Sequence, residues 1–233
     1  MTLLFPIQTP SVAIVGRPER FPVNRIYCVG RNYAAHAKEM GGTERESPFF
    51  FSKPANAVVE NGAQLRYPSR TADLHHEVEL VVALAGEALA AKGENLSLTE
   101  ASAAVYGYAV GLDFTRRDLQ AEAKDKGRPW DVAKGFDNSA PLSALTPAAQ
   151  AGDITQAQIA LKVNGKGRQH GAISDLIWNI PELIAELSTF YRLQPGDLIF
   201  TGTPAGVAAV VAGDVLEGEI DNLQPLRISI TER

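Results

Sequence analysis

Two carboxylates, Glu77 and Glu79, interrupt the otherwise apolar run His75–Ala85 (HHEVELVVALA). In a strand, residues i and i+2 share a face with Cα atoms about 6–7 Å apart. Both acids therefore aim the same way, while Val78, Leu80 and Val82 take the opposite face as core. Like charges held together repel, and desolvation adds to the cost. A solvent-facing edge relieves the conflict, and so does a bound cation. Asp113 favours the cation. The stretch Tyr106–Phe114 (YGYAVGLDF) alternates large and small residues, so Tyr106, Tyr108, Val110 and Leu112 share one face and Gly107, Ala109, Gly111 and Asp113 the other. The small face is expected to leave open space, with Asp113 ending the row. Three such carboxylates suit a hard divalent ion, Mg2+ or Mn2+, completed by water or substrate. Zinc fits less well, since there are 4 histidines and the single cysteine, Cys28, has no C-x-x-C partner. His75 shares the face of the acids as a neighbour; His76 faces the core as a structural histidine.

A second constellation is His36 with Glu39, three apart on a short helix expected over 32–40 and stopped by Gly41-Gly42. A carboxylate beside an imidazole fixes its tautomer and raises its basicity, which suits proton abstraction from water. The same spacing also fits a solvated surface pair. Between glycines, the segment is able to act as a lid. Lys134, in the apolar setting Trp130–Asp137, can polarise a carbonyl or hold a developing oxyanion, or snorkel to the surface. Thr201-Gly-Thr-Pro204 follows a strand and offers hydroxyls and N–H groups to a carboxylate, or forms an ordinary turn. Glu100 and Asp118 read as helix caps, the latter paired with Thr115.

These groups must be positioned by an ordinary globular chain. The protein has 233 residues, 45% hydrophobic and 21% charged, with a net charge of -5. That balance excludes a general attraction to nucleic acid or anionic membrane. No basic-then-apolar leader is visible and no apolar run is long enough to span a bilayer, so a cytoplasmic protein is expected. Strands are expected over 25–29, 49–52, 75–85, 106–114, 159–163, 197–201, 214–220 and 226–230, with Asn164-Gly165 as a hairpin turn. Helices are expected after the capping box Ser97–Glu100, over 115–126 and over 179–191. Strands outnumber helices without regular helical crossovers, which points to an α+β fold on a curved or barrel-like sheet. Residues 1–23 read as an extended N-terminal arm and 24–233 as one domain.

Taken in order, Val29–Glu39 (VGRNYAAHAKE), Phe51–Pro54 (FSKP), His75–Leu80 (HHEVEL), Gly111–Asp118 (GLDFTRRD), Trp130–Phe136 (WDVAKGF) and Gly196–Pro204 (GDLIFTGTP) resemble the fumarylacetoacetate hydrolase family over roughly residues 24–230. The resemblance implies a mixed β-roll or barrel of that family's C-terminal domain type, usually a homodimer, with one Mg2+ or Mn2+ per subunit. It implies metal ligation by Glu77, Glu79 and Asp113 and a lid dyad of His36 and Glu39. It further implies stabilisation of substrate oxygens by Lys134 and Gln120, and substrate contacts from Arg31, Arg117 and Thr203. The added N-terminal domain of the larger members has no counterpart here. The compact chain looks most like the members that hydrolyse the C–C bond of fumarylpyruvate in gentisate breakdown, and next most like those acting on other acylpyruvates. Two alternatives accompany this expectation: oxaloacetate decarboxylation or tautomerisation on the same scaffold, and non-catalytic binding of a 2-oxo acid. The acyl pocket is expected near 42–50 and 165–173.

Overall fold

The computed structural model describes residues 4–33 and 45–233, apart from the side chain of Ala88. His36 and Glu39, and nearly all of the helix expected over 32–40, lie outside the described residues.

In chain order the strands are β1 (Ser11–Ala13), β2 (Arg20–Pro22), β3 (Arg25–Gly30), β4 (Phe49–Lys53), β5 (Val58–Glu60), β6 (Gln64–Arg66), β7 (Leu74–His76), β8 (Val78–Leu84) and β9 (Val105–Leu112). They continue as β10 (Thr115–Arg116), β11 (Ala140–Leu142), β12 (Thr146–Pro147), β13 (Gln158–Val163), β14 (Lys166–Ala172), β15 (Asp197–Phe200), β16 (Ala208–Val210), β17 (Val215–Ile220) and β18 (Leu226–Thr231). The helices are short: α1 (Glu87–Ala91), α2 (Leu98–Ala103), α3 (Arg117–Asp125), α4 (Asp131–Lys134), α5 (Ala148–Ala151) and α6 (Ile180–Phe190).

An eight-stranded mixed sheet runs β4-β3-β15-β8-β9-β11-β5, with β12 also on β9. A five-stranded sheet, β14-β13-β17-β18-β6, curls against it, and a small sheet, β10-β7-β16, closes one end. This is an α+β fold built on a mixed β-roll, as the strand-rich sequence leads one to expect. The alternation along β8 explains the layering. Val78, Leu80, Val82 and Leu84 enter a core shared with Leu161, Leu216 and Ile228 of the five-stranded sheet. Val81 and Ala83 enter a second core with Ile26, Cys28, Leu198 and Phe200. A strand covered on both faces must be apolar nearly throughout, and every residue of β8 is buried. Gly218 permits the close approach of the two sheets, since a Cβ there would lie 3.0 Å from Val110 Cγ1. Within residues 1–23, β1 and β2 pair as a hairpin, and Val12, Ile14, Phe21 and Val23 are buried in the second core.

Three expectations need correction. The strand expected over 75–85 is two strands in different sheets, broken at Glu77. The small-residue face of β9 is not open: a Cβ on Gly111 would fall 2.5 Å from Val81 Cγ2 and 2.8 Å from the Phe200 ring. Gly111 admits core side chains and Gly107 the backbone of β12, where a Cβ would fall 2.5 Å from Thr146 O, rather than a ligand. Asp118 does not cap α3 with Thr115; it accepts from Thr71 Oγ1 at 2.6 Å and from Ala72 N at 2.9 Å, and so ties down the 71–72 segment. The Ser97–Glu100 capping box forms as the spacing predicts, and Asn179 caps α6.

Candidate metal centre

The register of the β8–β9 pair brings the acids together. Val78 pairs with Leu112 and Glu79 with Gly111, and Asp113 N donates to Glu77 O at 2.9 Å. Asp113 thus stands across from Glu77, and directly opposed residues of an antiparallel pair project to the same face. Glu79, two residues on, shares it. One carboxylate oxygen from each of the three lies within 4.8 Å of the others, and all three residues are buried.

Three buried carboxylates demand positive charge. Lys134 Nζ, from the end of α4, donates to Glu77 Oε2 at 2.9 Å and to Asp113 Oδ2 at 2.6 Å. Arg117 pairs with the other oxygen of Glu77. Lys53 Nζ stands 2.8 Å from Asp113 Oδ1 and is held by the carbonyls of Phe114 and Lys134. Burial opposes the charged forms of Glu77 and Lys134. The Lys134 and Arg117 cations outweigh it at Glu77, holding that carboxyl far below the usual range, and Asp113 and Glu77 hold the Lys134 ammonium above its usual range. Glu79 is different. Its Oε2 accepts from Gly202 N at 2.8 Å, and no cation among the described residues pairs with it. Burial, then repulsion from Asp113 and Glu77, push its carboxyl well above the ordinary value. Glu79 is the one acid of the three without a cationic partner among the described residues. An all-oxygen donor set that includes such a carboxylate fits a hard divalent cation.

The sequence-identified residues converge to different degrees. Arg31, Glu77, Glu79, Arg117, Gln120, Lys134 and Thr203 all line one cleft with Phe49, Phe51, Lys124 and Trp130. Its free volume is about 30 Å3, room for an ion or one water. A larger cavity of about 790 Å3 lies elsewhere and includes none of the three acids. Arg117 is committed to Glu77, to Gln120 Oε1 at 2.6 Å and to His75 Nδ1 at 3.4 Å. Thr203 donates its hydroxyl to Val78 O at 2.7 Å. His75 meets Asp73 at 2.9 Å and stays beside the acids rather than among them.

Sequence reasoning missed Lys53, Thr115 and Gln169. Thr115 Oγ1 lies 3.3 Å from Glu77 Oε1. Gln169 of β14 is a hub: Oε1 accepts from Val78 N at 3.0 Å and faces His76 Nδ1 at 2.9 Å, while Nε2 donates to Thr203 Oγ1 and Pro204 O, both at 2.8 Å. Because that oxygen is only an acceptor, His76 carries its proton on Nδ1. Gln169 thereby fixes the 201–204 turn whose Gly202 N–H orients Glu79. Through Thr203 it links the 165–173 stretch to the cleft; Phe49, from 42–50, lines the cleft directly.

A family model described as fumarylacetoacetate (FAA) hydrolase C-terminal matches residues 25–231. The fumarylpyruvate hydrolase of Ralstonia sp is 46% identical over 185 residues, 79% of this chain and 93% of that protein. The Escherichia coli oxaloacetate tautomerase YcgM is 43% identical over 202 residues, 86% of this chain and 90% of that one. The crystal structure of fumarylpyruvate hydrolase from Pseudomonas aeruginosa in complex with Mn2+ and pyruvate superposes with a TM-score of 0.94 at 48% identity, covering 100% of both chains.

Proposed function

The chain belongs to the fumarylacetoacetate hydrolase family, and from that premise we propose that it hydrolyses the C3–C4 bond of a 2,4-diketo acid, converting fumarylpyruvate to fumarate and pyruvate. In this reading Glu77, Glu79 and Asp113 hold one Mg2+ or Mn2+. The observation that carries it is the buried convergence of the three carboxylates, with Glu79 lacking a cationic partner among the described residues. When bound, a divalent cation supplies Lewis acidity to the substrate's 1-carboxylate and 2-oxo oxygens.

The chain's own residues do the rest. Lys134, already aligned by two of the acids, holds negative charge that builds on an adjacent substrate oxygen. Gln120, its carbonyl fixed by Arg117, presents its amide N–H to the same region. Arg31 and Thr203 contact the substrate from the cleft wall. Arg117 holds Glu77 and Gln120 in place. His36, oriented by Glu39, takes a proton from water as its oxygen adds to C4. The C3–C4 bond then breaks, C4 leaves as a carboxylic acid and C3 gains a proton, with one water consumed. The proposal includes a single catalytic domain over residues 24–233, a homodimer, and a cytoplasmic role in aromatic breakdown.

A second reading, oxaloacetate tautomerisation or decarboxylation, is favoured by the similarity to the tautomerases. A steady-state panel of fumarylpyruvate, acetylpyruvate and oxaloacetate, with Mg2+, with Mn2+ and after chelation, separates the two. The hydrolase reading expects cleavage of fumarylpyruvate that is lost on chelation and in Glu77→Ala; undiminished rates in both would refute the metal role. It also expects His36→Ala to abolish cleavage while sparing chemistry on oxaloacetate. Binding of all three acids without turnover would leave only a 2-oxo acid binding protein.

A further inference from the structure

The cleft is graded. At its inner end Glu77, Glu79, Gln120, Lys134 and Thr203 are buried. At its mouth Arg31 and Trp130 are half-buried, and Phe49 and Lys124 are exposed. Helix α3 supplies the gradient. Arg117, Gln120 and Lys124 follow one another at helical spacings of three and four, so they form a stripe along a single face. That stripe runs outward from the Arg117–Glu77 pair. At 1.5 Å per residue, its two ends are separated by about 10 Å along the helix axis.

Lys124 is an unusual end to such a stripe. Its ammonium lies 5.1 Å from the centre of the Trp130 ring and pairs with no carboxylate among the described residues. Partial burial, then the nearby cations Arg117 and Arg31 and more weakly Lys134, lower its pKa, against an opposing pull from Glu77. Arg31 lines the same mouth and likewise has no ion pair among the described residues; its backbone φ is 57°, a left-handed conformation that few non-glycine residues adopt. Two cations without an ion-pair partner among the described residues thus flank an aromatic wall in which Phe49 and Trp130 meet edge to face at 5.5 Å.

We propose that Lys124, with Arg31, forms a subsite for a second, distal carboxylate of the substrate, and so selects acyl groups that end in an acid. This rests on the diketo-acid hydrolase reading and sharpens it. The lengths agree. An extended carbon chain advances about 1.2 Å per bond, as a polypeptide backbone does. A seven-carbon diacid therefore spans about 7 Å between its terminal carbons, and a hydrogen bond of about 3 Å at its far end extends that reach to about 10 Å, comparable to the axial rise from Arg117 to Lys124. Oxaloacetate, with four carbons, spans about 4 Å and leaves Lys124 unused. A flat unsaturated midsection would lie against Phe49 and Trp130, as planar π systems favour aromatic neighbours.

The test uses the full chain loaded with Mn2+ and compares kcat/KM for fumarylpyruvate with that for acetylpyruvate, whose acyl group is neutral. In Lys124→Met the ratio of the two is expected to fall about five-fold, the worth of one partly exposed ion pair, through KM rather than kcat. In Lys124→Glu it falls further. In the wild type the ratio is expected to decline as salt is raised, because rim charges are screened. A ratio unchanged in both variants, or parallel losses on both substrates, overturns the subsite while leaving the hydrolase reading standing. Wild-type protein that cleaves neither acylpyruvate overturns that reading, and the subsite with it.

Discussion

Replacing Lys134 with methionine tests the electrostatic account of the cluster directly. The side chain is buried, and its ammonium bridges Glu77 Oε2 at 2.9 Å and Asp113 Oδ2 at 2.6 Å. Methionine keeps most of the volume and removes the charge. Breaking a buried ion pair by deleting one partner costs about 3–5 kcal/mol. Arg117 still pairs with Glu77, and Lys53 still stands beside Asp113, so the lower end, about 3 kcal/mol, is expected. For a chain of this length each kcal/mol shifts the melting temperature by about 2–4 °C. Calorimetric melts in chelator should therefore show Lys134→Met about 6–12 °C below wild type. Because the Lys134 pKa is raised, its stabilisation is complete below the unfolded value near 10.4 and is lost only as pH climbs through the raised one. The gap should therefore be flat between about pH 6 and 9. Adding Mn2+ should raise the variant's melting temperature by more than the wild type's, since a cation then replaces the missing charge. A deficit under about 2 °C in chelator, or equal Mn2+ increments in the two proteins, would show that Lys134 does not neutralise the acids.

Other substitutions probe the supports. The raised Glu79 carboxyl means that its ionisation opposes folding, so wild-type stability in chelator should fall as pH rises from the ordinary carboxylate range toward the raised value. Glu79→Gln removes that slope, and its urea midpoint relative to wild type should rise with pH; a constant difference would contradict the repulsion. Gly111→Ala forces a methyl against Val81 and Phe200 and should cost about 1–3 kcal/mol in urea unfolding; neutrality would mean that the second core yields. Gln169→Leu removes the partner of His76, Val78 N and Thr203 together. Mn2+ affinity by calorimetry should drop about 10- to 100-fold, the usual effect of losing a group that orients metal ligands; unchanged affinity would leave Gln169 a packing residue only.

The acids were legible because strand geometry is local. Alternation alone put Glu77 with Glu79, and the row ending in Asp113 pointed to the same face. What sequence could not show was the register that sets Asp113 across from Glu77, or the break that sends β7 and β8 into different sheets. The glycines of β9 misled because a small residue has two readings, room for a ligand or room for a neighbour, and only Val81 and Phe200 at Gly111 and the β12 backbone at Gly107 decide between them. Lys53 and Gln169 were invisible for another reason. Each reaches the site across sixty or more residues of chain; Lys53 lies in the FSKP stretch, but nothing in that stretch alone points its amine at Asp113, and Gln169 lies in none of the stretches that carry the resemblance. Lys124 lies within the helix expected over 115–126 and carries no signal of its own there. Its meaning comes from Trp130 and Arg31, which the fold delivers to it.

The pairing of Glu79 with Gly111 has an implication for how this protein tolerates change. The acid triad is assembled by counting hydrogen bonds along one antiparallel seam, and that count has no slack. Shortening or lengthening either strand by a single residue between the acids and the core would turn Asp113 to the opposite side from Glu77 and Glu79. The turn at Asn164-Gly165, by contrast, lies beyond the Leu161–Gln169 pair of β13 and β14 that places Gln169, and sets no register for the acids. Insertions should thus be accepted at that tip and refused along β8 and β9. Evolution can freely remodel the outskirts of this molecule, but it can alter the seam only by exchanging side chains.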